Sequence, residues 1–210
     1  MILVGQYDSP FVRRVAVTLY MYGMPFTRNA ISVFADTTEM ARINPLVRIP
    51  SLVLDSGETL IDSAAILDTL DEMVGPSRAL TPPSGAERRL VLQATAMATG
   101  AIDKAAAWIY ERHFHLPGQQ SETMLARYES QLAGALSWLE AQTRDGRLCG
   151  PTLCQADVTA AALVFYLKLR AVPAFPEGMY PRLAALCHAL EATDAFIATR
   201  PSQDETMPAT

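Results

Sequence analysis

The apolar positions follow two periods, and the change between them organises the chain. Ile2 to Val4 is a short apolar run that reads as a buried strand; after a polar turn, Val12, Val15, Ala16 and Leu19 recur at helical spacing across Pro10 to Tyr22. Phe26 to Val33 can supply a second strand, Thr37 to Ile43 a short helix and Pro50 to Leu54 a third strand. Asp55-Ser56-Gly57-Glu58 has the composition of a hairpin turn, with Thr59 to Ile61 as the returning strand. Across Asp62 to Val74, Ile66, Leu67, Leu70 and Val74 share one helical face while Asp68, Asp71 and Glu72 occupy the other. Residues 1–75 therefore predict βαβαββα, a small α/β sandwich.

Gly75 to Gly85 holds three prolines and two glycines, which continue neither a helix nor a ladder, so a linker is expected at 76–85. Beyond it the period is helical: Ala86 to Phe114, Glu122 to Thr143, Asp157 to Ala171 and Tyr180 to Ala198. The third of these is apolar nearly all round, which marks it as the central helix of an all-helical domain at 86–200. Val172 to Pro181, with three prolines and a glycine, separates the last two helices, and the polar tail 201–210 reads as loose. Composition agrees with the division. Of 32 alanines, 7 lie in residues 1–85 and 25 in 86–210, whereas valine runs 8 to 4 the other way. Alanine favours helices and valine fits a pleated strand.

With 50% hydrophobic residues in 210, the chain can bury a real core, and disorder is excluded. A net charge of -5 and pI near 5.2 show no electrostatic footprint for nucleic acid. No apolar stretch is long enough for a membrane span, and the opening MILVGQYDSPFVRR lacks the features of a secretory signal, so a cytoplasmic protein is expected. Cys149, Cys154 and Cys187 are odd in number and read as free thiols; none has partners at zinc spacing, and no metal is expected.

Three local patterns can carry chemistry. Ser9-Pro10 opens a helix, and there a serine is either a plain N-cap or a hydroxyl that donates to a bound anion such as a thiolate, beside free N–H groups and the positive end of the dipole. Arg48-Ile49-Pro50-Ser51-Leu52 places a proline at the start of a strand, where a trans peptide is the better expectation from composition alone. Asp62-Ser63 stands where a strand gives way to a helix; the pair either caps that helix or clamps the ammonium and carboxylate of an amino-acid head group.

Taken in order, S-P-F-V-R-R, N-P-L-V-R-I-P-S-L and D-S-A-A-I-L-D-T-L-D-E resemble the amino-terminal domain of cytosolic glutathione S-transferases, with the flavour of a bacterial group that starts Ser-Pro-Phe and is similar to the tau class. GPTLCQAD at 150–157 and YPRLAALCHALEATDAF resemble later segments of the same family, so the likeness spans residues 1 to about 200. It implies a thioredoxin-like domain followed by an all-helical one, with glutathione on the first as co-substrate. Ser9 would hold the glutathione sulfur as thiolate, with Tyr7 as the alternative. Ile49 before a cis Pro50 would present its backbone to the cysteinyl unit, Asp62 and Ser63 would hold the γ-glutamyl end, and Arg48 the glycyl carboxylate.

An electrophile site would draw on Phe11, Tyr110, His113 and Tyr166, with Trp108 and Phe114 nearby, although aromatics at helical spacing are more often core. Arg13, one turn from Ser9, would either raise the local positive potential or be a solvated helix arginine. A homodimer is also implied. Cys154 stands where the family has serine or threonine as an N-cap, which predicts a weakened cap in front of Asp157, a folding residue. The competing class is a protein that keeps the fold as an interaction or ligand-carrying module.

Overall fold

A computed structural model describes residues 1–176 and 178–205, which divide into two compact units. The first comprises Met1–Pro83 together with the described segment that follows from Ala192, and the second is Ser84–Glu191. In the first unit the elements are β1 (Ile2–Val4), α1 (Pro10–Tyr22), β2 (Thr27–Asn29), α2 (Thr37–Ile43), β3 (Ser51–Val53), β4 (Thr59–Ile61) and α3 (Ser63–Val74). This is the expected βαβαββα order. The strands form a mixed sheet in the order β2-β1-β3-β4, with β1 parallel to β2 and antiparallel to β3, and β3 antiparallel to β4.

Side chains alternate across the pleat, so neighbouring residues of one strand serve different cores. Leu3 and Leu52 pack with Val12, Val15 and Leu19 of α1 and with Ile66 and Leu70 of α3. Val4 faces the other way, onto Ile31 and Met40 of the α2 side. The strands have three residues each, at the short end of the usual range.

The stretch after α3 is bonded into this unit. Tyr22 donates its hydroxyl proton to Asp71, the Leu80 N–H donates to the Tyr22 oxygen at 2.7 Å, and Arg78 donates to the Tyr22 carbonyl at 2.5 Å. Residues 78–80, expected as linker, are therefore anchored at their start.

The second unit contains α4 (Gly85–Phe114), α5 (Glu122–Gln142), α6 (Gln155–Leu169) and α7 (Pro181–Glu191). Helix α6 is central: Val158, Ala160, Ala161, Ala162, Leu163 and Val164 are wholly buried, and α4 and α7 both pack on it. Its N-terminus is capped with sulfur in place of a hydroxyl. Although Cys154 is not a hydroxyl residue, the Asp157 N–H reaches its sulfur while the Asp157 carboxylate accepts from the Cys154 N–H at 2.9 Å, completing a reciprocal capping box. The same carboxylate accepts from the Leu148 N–H at 2.8 Å. Burial pushes the Asp157 carboxyl up, with these hydrogen bonds opposing it.

The helix expected over Tyr180 to Ala198 is two helices. It breaks after Glu191, Thr193 adopts an extended cap conformation, and α8 (Asp194–Ala198) belongs to the first unit, not to the helical domain expected at 86–200. The physical cause is an anchor. Phe196 is fully buried, and Arg13 of α1 donates to the Thr199 and Phe196 carbonyls, each at 3.1 Å, with its guanidinium over the Phe196 ring. Arg13 is thus a buried group satisfying helix-end carbonyls and not a solvated arginine.

The tail, expected to be loose, forms a 3-10 turn at Gln203–Glu205. Glu205 accepts the Tyr7 N–H at 2.8 Å and pairs with Arg28. Residues 206–210, the rest of the predicted tail, lie outside the described residues.

Candidate functional site

The strand register builds the site. Val4 pairs with Ser51, and Ser51 with Ile61, so the ends of β1 and β4 and the start of β3 lie level in the sheet. The segments just beyond them, Gly5 to Ser9, Ile49-Pro50 and Asp62-Ser63, emerge together at one edge. Three stretches far apart in sequence become neighbours through three hydrogen-bonded strands.

Gly5 brings the first two closest. Its φ is +133, and a Cβ there would sit 2.6 Å from Val12 Cγ2 and 2.9 Å from Ile49 Cβ, so only glycine lets the chain pass between the start of α1 and Ile49. Sequence reading did not single out this residue, although a glycine between a strand and Ser-Pro is a signal that was there to use.

Ser9 occupies the N-cap of α1 with extended backbone, and its Oγ accepts from the Val12 N–H at 3.5 Å. That bond is long, and it uses the oxygen's acceptor capacity while the hydroxyl proton remains available to donate. Pro10 brings no N–H and Val12 gives its own to Ser9, so the first turn offers the Phe11 amide toward the space in front of the helix. The arrangement suits an anion.

Tyr7 is placed differently. Its ring is buried in the core with Val12 and Val15, and the Arg28 guanidinium lies 3.6 Å from its centroid. Burial pushes its hydroxyl up to about 12, with Arg28 pulling only partly the other way, so the phenol stays neutral over the working range. Its backbone N–H is held by Glu205. Nothing local in the sequence could have linked positions 7 and 205.

The Glu205 carboxyl is pushed up by burial, but the Arg28 hydrogen bond, the Tyr7 N–H and the Arg28 charge together hold it below its ordinary value. A depressed carboxyl contributes stability above its unfolded value and loses it as pH falls through the folded value. We therefore expect the Tyr7 amide to be protected at neutral pH and, relative to the intrinsic rate of an open amide at the same pH, to exchange faster at a pH below the ordinary glutamate range. Glu205→Gln should show the faster exchange already at neutral pH, measured by hydrogen exchange with mass spectrometry.

The Ile49–Pro50 peptide is cis, in place of the trans form composition favoured and as the resemblance implied. Asn44, buried, shapes the preceding loop: its amide donates to the Arg48 carbonyl at 2.8 Å and its oxygen accepts from the Leu46 N–H at 3.0 Å. The Arg48 side chain is exposed on this loop. At the third segment Asp62 sits at φ +68, unusual for a residue with a side chain, and caps α3 by accepting the Ala64 N–H at 2.8 Å. Ser63 is the first residue of α3 and is buried. A carboxylate and a hydroxyl thus stand together where helix N–H groups are unsatisfied.

The residues expected to shape a second pocket are distributed over both units. Phe11 is half-buried in α1. On α4, exposed Tyr110 and half-buried His113 both lie edge-on to Phe114, with centroids at 5.7 and 4.7 Å. Tyr166 is buried within α6, and Trp108 donates to Glu129 at 2.8 Å, tying α4 to α5. Among the described residues no three His, Cys, Asp or Glu side chains are grouped to hold a metal ion, and no helix is long and apolar enough to cross a membrane.

Comparison with known proteins bears on family and fold. The family model described as "Glutathione S-transferase, N-terminal domain" matches residues 3–78. The uncharacterized GST-like protein YibF of Escherichia coli is 32% identical over 200 residues, covering 95% of this chain and 98% of the relative. A glutathione S-transferase of Methylobacterium radiotolerans, solved in complex with glutathione sulfonate, superposes with a TM-score of 0.89 at 26% identity, over 100% of this chain and 98% of that one. A glutathione transferase family member from Pseudomonas fluorescens, with bound glutathione, gives 0.84 at 30% identity, over 96% and 98%. The chain belongs to the glutathione S-transferase family.

Proposed function

We propose that the protein is a glutathione transferase that binds glutathione along the sheet edge formed by Ser9, Ile49-Pro50 and Asp62-Ser63, and uses the bound thiolate to conjugate or reduce small hydrophobic electrophiles. The observation that carries this reading is the level register of Val4, Ser51 and Ile61, which gathers an anion-favouring helix start, a loop with exposed Arg48 and a carboxylate–hydroxyl pair at one edge. Glutathione carries groups of matching chemistry: a thiol, a γ-glutamyl ammonium and carboxylate, and a glycyl carboxylate. Two family members 26% and 30% identical to this chain hold glutathione or its sulfonate.

In this reading Ser9 donates its hydroxyl proton to the sulfur, and the Phe11 amide with the α1 dipole adds positive potential. These groups favour the charged sulfur over the thiol, so the thiol ionises more readily than in water. Asp62 accepts from the γ-glutamyl ammonium, while Ser63 and the N–H groups of α3 hold its carboxylate. The Ile49 backbone lies against the cysteinyl unit and Arg48 meets the glycyl carboxylate. On the first unit Phe11, half-buried in the same helix start, is the aromatic side chain that meets the electrophile in this reading. The same reading makes the protein a cytoplasmic homodimer, with α3 at the isologous contact.

Calorimetric titration with glutathione tests the binding half. Asp62→Asn keeps an oxygen to cap α3 and a residue type that tolerates positive φ, but removes the charge; with a charged hydrogen bond worth about 1.5–3 kcal/mol, Kd should rise roughly 10- to 100-fold. Ser63→Ala should weaken binding by a smaller factor. Wild-type protein that takes up no glutathione, in a sample shown to be folded, would mean that the fold serves as an interaction module.

A further inference from the structure

The loop leading into α6 carries two cysteines that the glutathione reading does not use. Cys149 and Cys154 bracket Gly150-Pro151-Thr152-Leu153, and their thiols are in hydrogen-bonding contact. Backbone geometry produces this proximity. The two oxygens of the buried Asp157 carboxylate accept from Leu148 N–H at 2.8 Å and Cys154 N–H at 2.9 Å, so one group ties down both ends of the loop. Gly150, at φ +116, allows the chain to turn back between them. Both cysteines are free, Cys149 half-buried and Cys154 buried.

We propose that Cys149 and Cys154 form a redox-active dithiol, converted by a small-molecule disulfide such as glutathione disulfide into an intramolecular disulfide at the start of α6. The partition of roles follows from the surroundings. The hydrogen bond from Cys154 lowers the Cys149 thiol against the opposing effect of burial, while that same bond and then burial push the Cys154 thiol up. The more accessible sulfur is thus the better nucleophile. The Cys149 thiolate attacks one sulfur of the small disulfide; that S–S bond breaks, and one small thiolate leaves and takes a proton from solvent. Cys154 then loses its proton to solvent and attacks the Cys149 sulfur of the mixed disulfide, expelling the second small thiol. In total, two protein thiols and one disulfide give one protein disulfide and two small thiols. The new bond draws the Cys154 sulfur away from the Asp157 N–H, which removes half of the capping box of α6.

The test uses the full chain, equilibrated with glutathione and glutathione disulfide at stepped ratios, quenched with an alkylating maleimide and read by intact mass and peptide mapping. With the chain unfolded at the quench, Cys149 and Cys154 should lose alkylation together at oxidising ratios, leaving a protein with a single label that is lighter by two hydrogens than a reduced chain with the same label. Cys187, buried with its thiol donating to the Ala161 carbonyl at 3.6 Å, should remain a thiol and serve as internal reference. Cys154→Ser should stop at a glutathione adduct on Cys149, and Cys149→Ser, which leaves the α6 cap untouched, should keep Cys154 alkylatable. The proposal is overturned if both thiols persist where a solvent-exposed dithiol peptide is fully oxidised, if wild type stops at the mixed adduct, or if the linkage joins two chains. None of these readouts depends on catalysis.

Discussion

Replacing Ser9 by alanine should lower kcat/KM for conjugation of glutathione to an activated aryl halide by about 100- to 1000-fold, the range found when one hydrogen-bond donor to a developing or resident anion is removed. The loss should fall mainly on kcat at neutral pH, because the peptide-like contacts of glutathione at Ile49, Asp62 and Ser63 are untouched, and KM for glutathione should change by a much smaller factor. Folding stability should fall only slightly. An N-cap serine is worth about 0.5–2 kcal/mol, and the long 3.5 Å bond to the Val12 N–H places Ser9 at the lower end. A plain cap would give the reverse pattern, with lost stability and unchanged turnover. Tyr7→Phe separates the two candidate hydroxyls: with the Tyr7 ring in the core under Arg28, its removal should leave turnover within a few-fold of wild type.

The largest stability effect is expected far from that chemistry, at Asp157. Asp157→Ala leaves the Leu148 and Cys154 N–H groups buried without an acceptor, at about 1–3 kcal/mol each, so unfolding free energy should fall by roughly 2–5 kcal/mol. For a chain of this size that is a Tm lower by about 5–15 °C in calorimetry. Asp157→Asn should cost less, since one oxygen still accepts while the amide faces the other N–H. The pH dependence has a definite sign. Burial raises the folded carboxyl above its unfolded value, so the folded state binds the proton more tightly; this contribution is fully present below the unfolded value and lost as pH rises through the folded one. The advantage of wild type over Asp157→Asn should therefore be greatest in acid and shrink toward neutral pH.

Local order was readable because each element of the first unit carries its own period. Val12, Val15, Ala16 and Leu19 mark α1 without reference to any other residue, and Leu3 and Val4 need only the pleat to be assigned to two cores. The candidate site was readable for the same reason: Ser9, Pro50 and Asp62 stand at boundaries that sequence marks with caps and prolines. What escaped depended on distant partners. The break after Glu191 is stabilised by Arg13, which lies 183 and 186 positions before its acceptors Phe196 and Thr199, and the turn at Gln203–Glu205 by Tyr7 and Arg28. A polar tail looks the same in sequence whether or not an arginine on a distant strand waits for its carboxylate. Pro50 failed for another reason, since composition alone does not distinguish the two isomers of one X–Pro bond. At Cys154 the cap formed with sulfur in place of oxygen because Asp157 supplies the stronger half of the box.

The proposed role of Ser9, at the start of α1, is to stabilise glutathione as its thiolate. Its most direct test is the ultraviolet absorbance of the thiolate, recorded as a pH titration of glutathione bound to wild type and to Ser9→Ala at saturating ligand. On wild type, bound glutathione should ionise at a pH well below that of free glutathione, and Ser9→Ala should still bind but return the midpoint toward the free value. A variant that binds glutathione and ionises it with the wild-type midpoint would contradict the account and leave Ser9 as a cap alone.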